Sequence, residues 1–96
     1  MKRFSTRSYK LQVLLMQIEG IKIIDVRKEE FKDKVYSRIK FEFKDEYENA
    51  VHRIIEDYKE NLGVETDREL FGNLRDKRKK LLEEYFAKKG VEINER

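Results

Sequence analysis

The chain has no cysteine. That excludes disulfides, thiolate nucleophiles and thiolate metal sites, and it points away from an oxidising compartment. A single histidine, His52, gives little support to a Ser-His-Asp or Cys-His arrangement. The four glycines, Gly20, Gly63, Gly72 and Gly90, fall in no phosphate-loop or dinucleotide-binding spacing. No apolar run approaches the roughly 20 residues that span a bilayer; the longest, residues 13–16, ends at Gln17 and carries no small-residue cleavage pattern. These absences lead us to expect a cytoplasmic protein with no membrane partner, no cofactor and no metal. No nucleophile, base and orienting group stand at a recognisable spacing, so no catalysis is expected either.

Charge is abundant: 45% of the 96 residues are Asp, Glu, Lys or Arg, against 39% hydrophobic. The apolar residues recur at regular spacings, which marks a folded domain with a heavily charged surface and not a disordered chain. The length fits one domain, too small for a deep cleft between two lobes. Lys and Glu dominate the charged set while Cys and Trp are absent and Gln occurs only at 12 and 17, the composition of heat-adapted proteins.

The spacings predict an α+β fold of order αββαα: an N-terminal helix, an antiparallel hairpin and two C-terminal helices, with one layer of helices on a small sheet. Ser8 is a candidate N-cap for a helix over 8–19, with Leu11, Leu14, Leu15 and Ile18 at helical spacing before Gly20. Val13 and Met16 fill the gaps, so a strand competes, and the helix formers Leu, Met, Gln and Lys favour the helix. Residues 21–27 are β-branched and read as a strand. Over 35–43, Val35, Ser37, Ile39, Phe41 and Phe43 alternate with Tyr36, Arg38, Lys40 and Glu42, the pattern of a half-buried strand. The polar stretch 28–34 between them suits a hairpin connection.

Asp45 and Glu48 form a capping-box pattern before the stripe Tyr47, Val51, Ile54, Ile55, Tyr58 and Leu62, which ends at Gly63. Thr66 and Glu69 repeat it before Leu70, Phe71, Leu74, Leu81, Leu82, Tyr85 and Phe86, which end at Gly90. The domain is expected over 8–90, with a basic arm at 1–7 and a tail at 91–96 that could add a short edge strand. Val35, Ile39, Phe41, Phe43, Val51, Ile54, Ile55, Tyr58, Leu74, Leu81 and Leu82 are the expected core. A two-stranded sheet leaves two unpaired edges, so a homodimer through sheet extension or the last helix is expected.

Charge is unevenly placed. Residues 1–18 hold Lys2, Arg3, Arg7 and Lys10 with no acid, and 40–60 are acidic on balance. Arg75, Lys77, Arg78, Lys79 and Lys80, with Asp76 among them, interrupt an apolar stripe that continues on both sides. Several close bases suit a phosphate backbone. The competing reading has the long stems of Lys77 and Arg78 covering the rim of a small core. On the outward strand face, Tyr36, Arg38 and Lys40 interleave an aromatic with bases as single-strand and groove binders do, where Glu42 would repel phosphate. The candidate nucleic-acid-binding residues are therefore Lys2, Arg3, Arg7, Arg38, Lys40, Arg75, Lys77, Arg78, Lys79 and Lys80. A protein-interaction or inhibitor module, docking through the acidic helix and the charged strand, is the alternative.

The strand at 35–43 with the helices at 46–62 and 67–89 resembles the ribbon-helix-helix family of dimeric DNA-binding proteins. That resemblance implies outward strand residues, here Arg38, Lys40 and Tyr36, in a major groove. The helix–strand–strand–helix order over 8–62 also looks like part of a ferredoxin-like regulatory domain, whose leading strand is hardly visible here. Asp25 with Glu42 and Lys44 resembles the carboxylates and lysine of Mg²⁺-dependent nucleases. Glu48, His52 and Glu56 share a helix face that could hold a metal, and surface pairing is the simpler reading.

Overall fold

The structure, a computed structural model, describes residues 1–60 and 67–89. Its elements are strand β1 (Lys2–Thr6), helix α1 (Tyr9–Leu14) running into a 3₁₀ turn at Leu15–Gln17, strands β2 (Lys22–Phe31) and β3 (Lys34–Phe43), a 3₁₀ turn at Asp45–Tyr47, and helices α2 (Glu48–Lys59) and α3 (Arg68–Lys89). The α+β class and the order helix, hairpin, two helices are as the spacings predict. Residues 1–7, expected as a basic arm, instead supply β1.

β1 pairs antiparallel with β3 from Lys2↔Phe43 to Thr6↔Ile39, and the sheet order is β1-β3-β2. The sheet has three strands, not two, because Phe4 and Thr6 fall on the buried face opposite Phe41 and Ile39 while Arg3 and Ser5 fall outside. β1 and β2 flank β3 and run parallel to each other, with α1 as the crossover between them. The strand that a ferredoxin-like order requires before the first helix is thus present.

The hairpin is longer than its polar stretch suggests. Residues 28–31 stay paired with 34–37, and the turn is only Lys32-Asp33, at φ 50° and 64°. Two left-handed residues match the twist of the flanking strands. Near the other end, a bulge between Ile23 and Asp25 offsets the register.

α1 and its 3₁₀ extension form the centre of the core. Leu11, Val13, Leu14, Leu15, Met16 and Ile18 are all buried, since the sheet lies on one side and α2 and α3 on the others. A helix apolar all round is one enclosed all round, which is why its spacing looked ambiguous. Ile21 ahead of β2, Ile39, Phe41 and Phe43 from β3, Val51 from α2 and Leu74 from α3 complete the core. Each contributes about 1.5–3 kcal/mol by burial. Ile54, Ile55, Tyr58, Leu81 and Leu82 pack partly buried against it. Val35 does not belong: it is 62% exposed beside the turn, where the hairpin outruns the helices.

Ser8 caps α1 as expected, accepting from the Leu11 N–H, and its Oγ is 2.7 Å from the Tyr58 hydroxyl of α2. The capping box at α2 does not form. Asp45 takes the Met1 ammonium at 3.0 Å and Glu48 lies 3.6 Å from Lys2 Nζ, because β1 brings the chain start alongside. At α3 the capping acceptor is Asp67, whose Oδ1 takes the Leu70 N–H at 2.9 Å. Thr66, Gly63, Gly90 and residues 91–96 lie outside the described residues.

Candidate nucleic-acid interface

The basic residues fall into two regions on opposite sides of the core. One is the sheet face turned away from the helices. There Arg3 and Arg7 at β1, Arg38 and Lys40 on β3, and Arg27 on β2 stand beside Asp25, Glu29 and Glu42. Most of these charges are paired. Arg3 Nε is 3.3 Å from Glu42, and Arg27 Nε is 2.9 Å from Asp25. Glu29 takes Arg38 through both carboxylate oxygens, at 2.7 and 3.2 Å, and Arg7 at 3.0 Å. The hydrogen bond from Arg38, with help from Arg7, holds the Glu29 carboxyl below the usual carboxylate range. The Arg7 guanidinium lies 4.1 Å over the Phe31 ring and 5.6 Å from Tyr36, occupying aromatic surface that a base would need. Lys40 borders a shallow hollow of about 180 Å³ with Ser5, Asp25, Arg27 and Arg38.

β3 is the central strand, hydrogen-bonded on both edges. A major groove admits a two-stranded ribbon, so the three-stranded sheet overturns the ribbon-helix-helix reading of Arg38, Lys40 and Tyr36.

The second region lies where α3 crosses α1. Helical spacing puts Arg68, Phe71, Gly72, Arg75, Lys79 and Leu82 along one stripe of α3. The acids Glu69, Asp76 and Glu83 recur every seventh residue on a different, exposed line. Lys10, Arg68, Phe71, Gly72 and Arg75 enclose a groove of about 330 Å³. Arg68, Arg75 and Lys79 have no ion-pair partner among the described residues.

The five bases at 75–80 therefore do different things. Lys77, itself exposed, lies in line with Leu70, Leu74 and Leu81, and its Nζ donates to the Met16 carbonyl at 2.9 Å. Arg78 donates from Nε to Gln12 Oε1 at 3.0 Å, and its guanidinium lies 4.7 Å from the Tyr9 ring centre. Burial pushes the pKa of Arg78 down from its ordinary value, yet an arginine keeps its proton. Lys80 stands four residues from both Asp76 and Glu84, where opposite charges offset it. Arg75 alone of the five borders the groove, with Lys79 next along the stripe. Lys2 turns from both regions toward Glu48.

Gln12 is the residue that sequence reasoning missed most plainly. It is 1% exposed, and its Nε2 donates to the Thr6 and Ser37 carbonyls at 2.9 and 2.7 Å while its Oε1 holds Arg78. A lone amide inside an apolar run was the available signal. Arg68 and Lys10 are absent from the sequence-derived candidates because neighbours on a helix face, or across two helices, are not neighbours in sequence.

The nuclease-like residues are engaged elsewhere: Asp25 holds Arg27 and Glu42 holds Arg3. His52 is exposed, while Glu48 and Glu56 pair with Lys2 and Lys59. Among the described residues no three His, Asp or Glu side chains gather as a metal site, and no helix is long and apolar enough to cross a membrane. Comparison with known proteins found no matching family model, no matching curated protein and no matching solved structure.

Proposed function

We propose that this protein is a non-enzymatic nucleic-acid-binding module that grips backbone phosphates at the α1–α3 crossing. The observation that carries the reading is on α3: Arg68, Arg75 and Lys79 share a stripe and close no ion pair among the described residues, with Arg68 and Arg75 bordering the groove beside Lys10. Bases that are unpaired and close together release counterions when phosphate replaces them. The sheet face has as many bases but holds most of them in ion pairs, so it contributes orientation at most.

The test is affinity for duplex and single-stranded DNA and RNA over a salt series. Each phosphate contact contributes about −0.9 to the log–log slope on duplex and about −0.7 on single strands. Changing Arg68, Arg75 and Lys79 together to Gln should flatten that slope by two to three contacts' worth, roughly two units. An unaltered slope would defeat the proposal.

A second reading rests on a separate observation. Beside the edge strand β2, Ile23, Ile24, Leu81 and Tyr85 line a mostly apolar groove of about 390 Å³, rimmed by Lys22, Glu84 and Lys88. The bulge in β2 lets successive isoleucines border it. This is where a second copy of the chain would bury apolar surface. Light scattering that finds only monomer at high micromolar concentration would exclude the dimer and leave phosphate binding untouched.

A further inference from the structure

Gly72 lies five residues into the 22-residue helix α3, where glycine has no local justification. Its φ is not in the positive range, and a Cβ built on it meets nothing within 4 Å among the described residues. Among the described residues, neither the backbone nor the packing requires glycine here. A glycine in a helix interior is nonetheless less favourable than alanine, and here it leaves the helix without a side chain where the backbone borders the groove.

What surrounds Gly72 says what the groove would take. Half-buried Phe71 lines one side of the groove, and Arg68 and Arg75 stand a turn before and about a turn after it, with Lys10 across from them on α1. The volume, about 330 Å³, is at the small end for ligand sites and suits one ring system with an attached phosphate. A flat ring and flanking guanidiniums are the elements of single-strand recognition, in which bases stack on aromatics while cations follow the phosphates. A duplex keeps its bases stacked inside and offers nothing to enter the groove.

From this we infer that the groove is a pocket for one unpaired nucleotide of a single-stranded nucleic acid, its base against Phe71 over the bare backbone of Gly72 and its phosphates on Arg68 and Arg75. The inference rests on the phosphate-binding reading above and narrows it to single strands.

The test uses the full chain, oligo(dT) and oligo(U) as single-stranded probes, and a mixed-sequence DNA duplex. Gly72→Ala should raise Tm by about 4–8 °C, because helix propensity improves and no atom is displaced. Gly72→Leu should keep the fold, which circular dichroism and Tm report. It should weaken single-strand binding about tenfold or more by filling the groove, while duplex affinity stays within about twofold. The two single-stranded probes separate DNA from RNA preference. Two results would overturn the pocket: a Tm that falls in Gly72→Ala, showing that the fold itself needs glycine, or unaltered single-strand affinity in Gly72→Leu. If Gly72→Leu binds as the native chain does while Arg75→Gln weakens every probe, the pocket fails and phosphate binding stands. If Arg75→Gln weakens none of them, both fail.

Discussion

The sheet face and the α1–α3 groove are built from the same currency of arginine and lysine, yet their chemistry differs. On the sheet, period two aligns strands of mixed charge, so that Arg3, Arg27, Arg38 and Arg7 each find a carboxylate across or along the ladder. On α3, Glu69, Asp76 and Glu83 recur at seven-residue spacing on an adjoining line, and Arg68, Arg75 and Lys79 close no ion pair with them among the described residues. A count of bases in the sequence cannot distinguish the two regions, because the periodicity of the element decides which charges meet.

The largest expected effect lies where the two regions are joined. Gln12 ties the ends of the β1–β3 pairing to Arg78 of α3 through three hydrogen bonds, at a position 1% exposed. Gln12→Met keeps the volume and strands two carbonyls and a guanidinium, so it should cost about 3 kcal/mol in urea denaturation. Gln17→Met, at an exposed amide that reaches only the nearby Leu14 carbonyl, should change stability by less than about 0.5 kcal/mol. Equal effects at the two glutamines would mean that the regions are independent.

Next comes the contrast between charges. Arg68, Arg75 and Lys79 changed to Gln should weaken nucleic-acid binding by about 10- to 100-fold at low salt and leave stability within about 0.5 kcal/mol. The matching change of Arg3 and Arg38 to Gln should do the reverse, releasing Glu42 and Glu29 from their partners while binding stays within about threefold. If the sheet variant loses binding and the helix variant does not, the interface has been placed on the wrong side of the core.

Much of this molecule was legible before its structure. Alternation identified β3, the apolar stripe identified α2, and Ser8 announced α1. β1 was hidden because Lys2-Arg3-Phe4-Ser5-Thr6 carries a single large apolar residue, and an edge strand bonded to one neighbour needs no more. The polar stretch at 28–34 looked like loop, although most of it is strand extending beyond the helices, where neither face is buried. At the candidate site, the basic break in α3 is visible in the sequence, but adjacency groups residues that the helix sends to different faces. Lys77 and Arg78 reach back to α1 and its 3₁₀ extension, where their charged ends meet the Met16 carbonyl and Gln12 Oε1. Arg68 and Gly72 could have been found only by following the three- and four-residue spacing across the break.

The hairpin tip offers a smaller test that touches only the sheet side. Lys32 and Asp33 both adopt positive φ, which costs an L-residue with a side chain more than it costs glycine. Asp33→Gly should stabilise the protein by about 1 kcal/mol, read as a higher midpoint in urea. It should leave the salt slope of nucleic-acid binding where it was. A changed slope would mean that the tip, with Arg7 and Phe31 behind it, takes part in binding.

The smallest expected effect concerns pH and follows from Glu29. Its carboxyl is held below the usual carboxylate range, first by the hydrogen bond from Arg38 and then by Arg7, so the folded state binds this proton less readily than the unfolded chain does. The stabilisation is therefore fully present above the unfolded carboxylate value, about 4.3, and is lost as pH falls through the depressed folded value. Asp45, lowered by the Met1 ammonium, adds to the same acid limb, whereas Arg38 stays protonated throughout and contributes nothing there. Glu29→Gln should consequently be less stable than the native chain at neutral pH, and the two stability curves should converge as the pH drops below the carboxylate range. The pair is partly exposed, so about 1 M salt should shrink the neutral-pH difference as well. Parallel curves at every pH would show that Glu29 acts by packing and not by charge, and the view of the sheet face as a set of mutually neutralising ions would have to be abandoned.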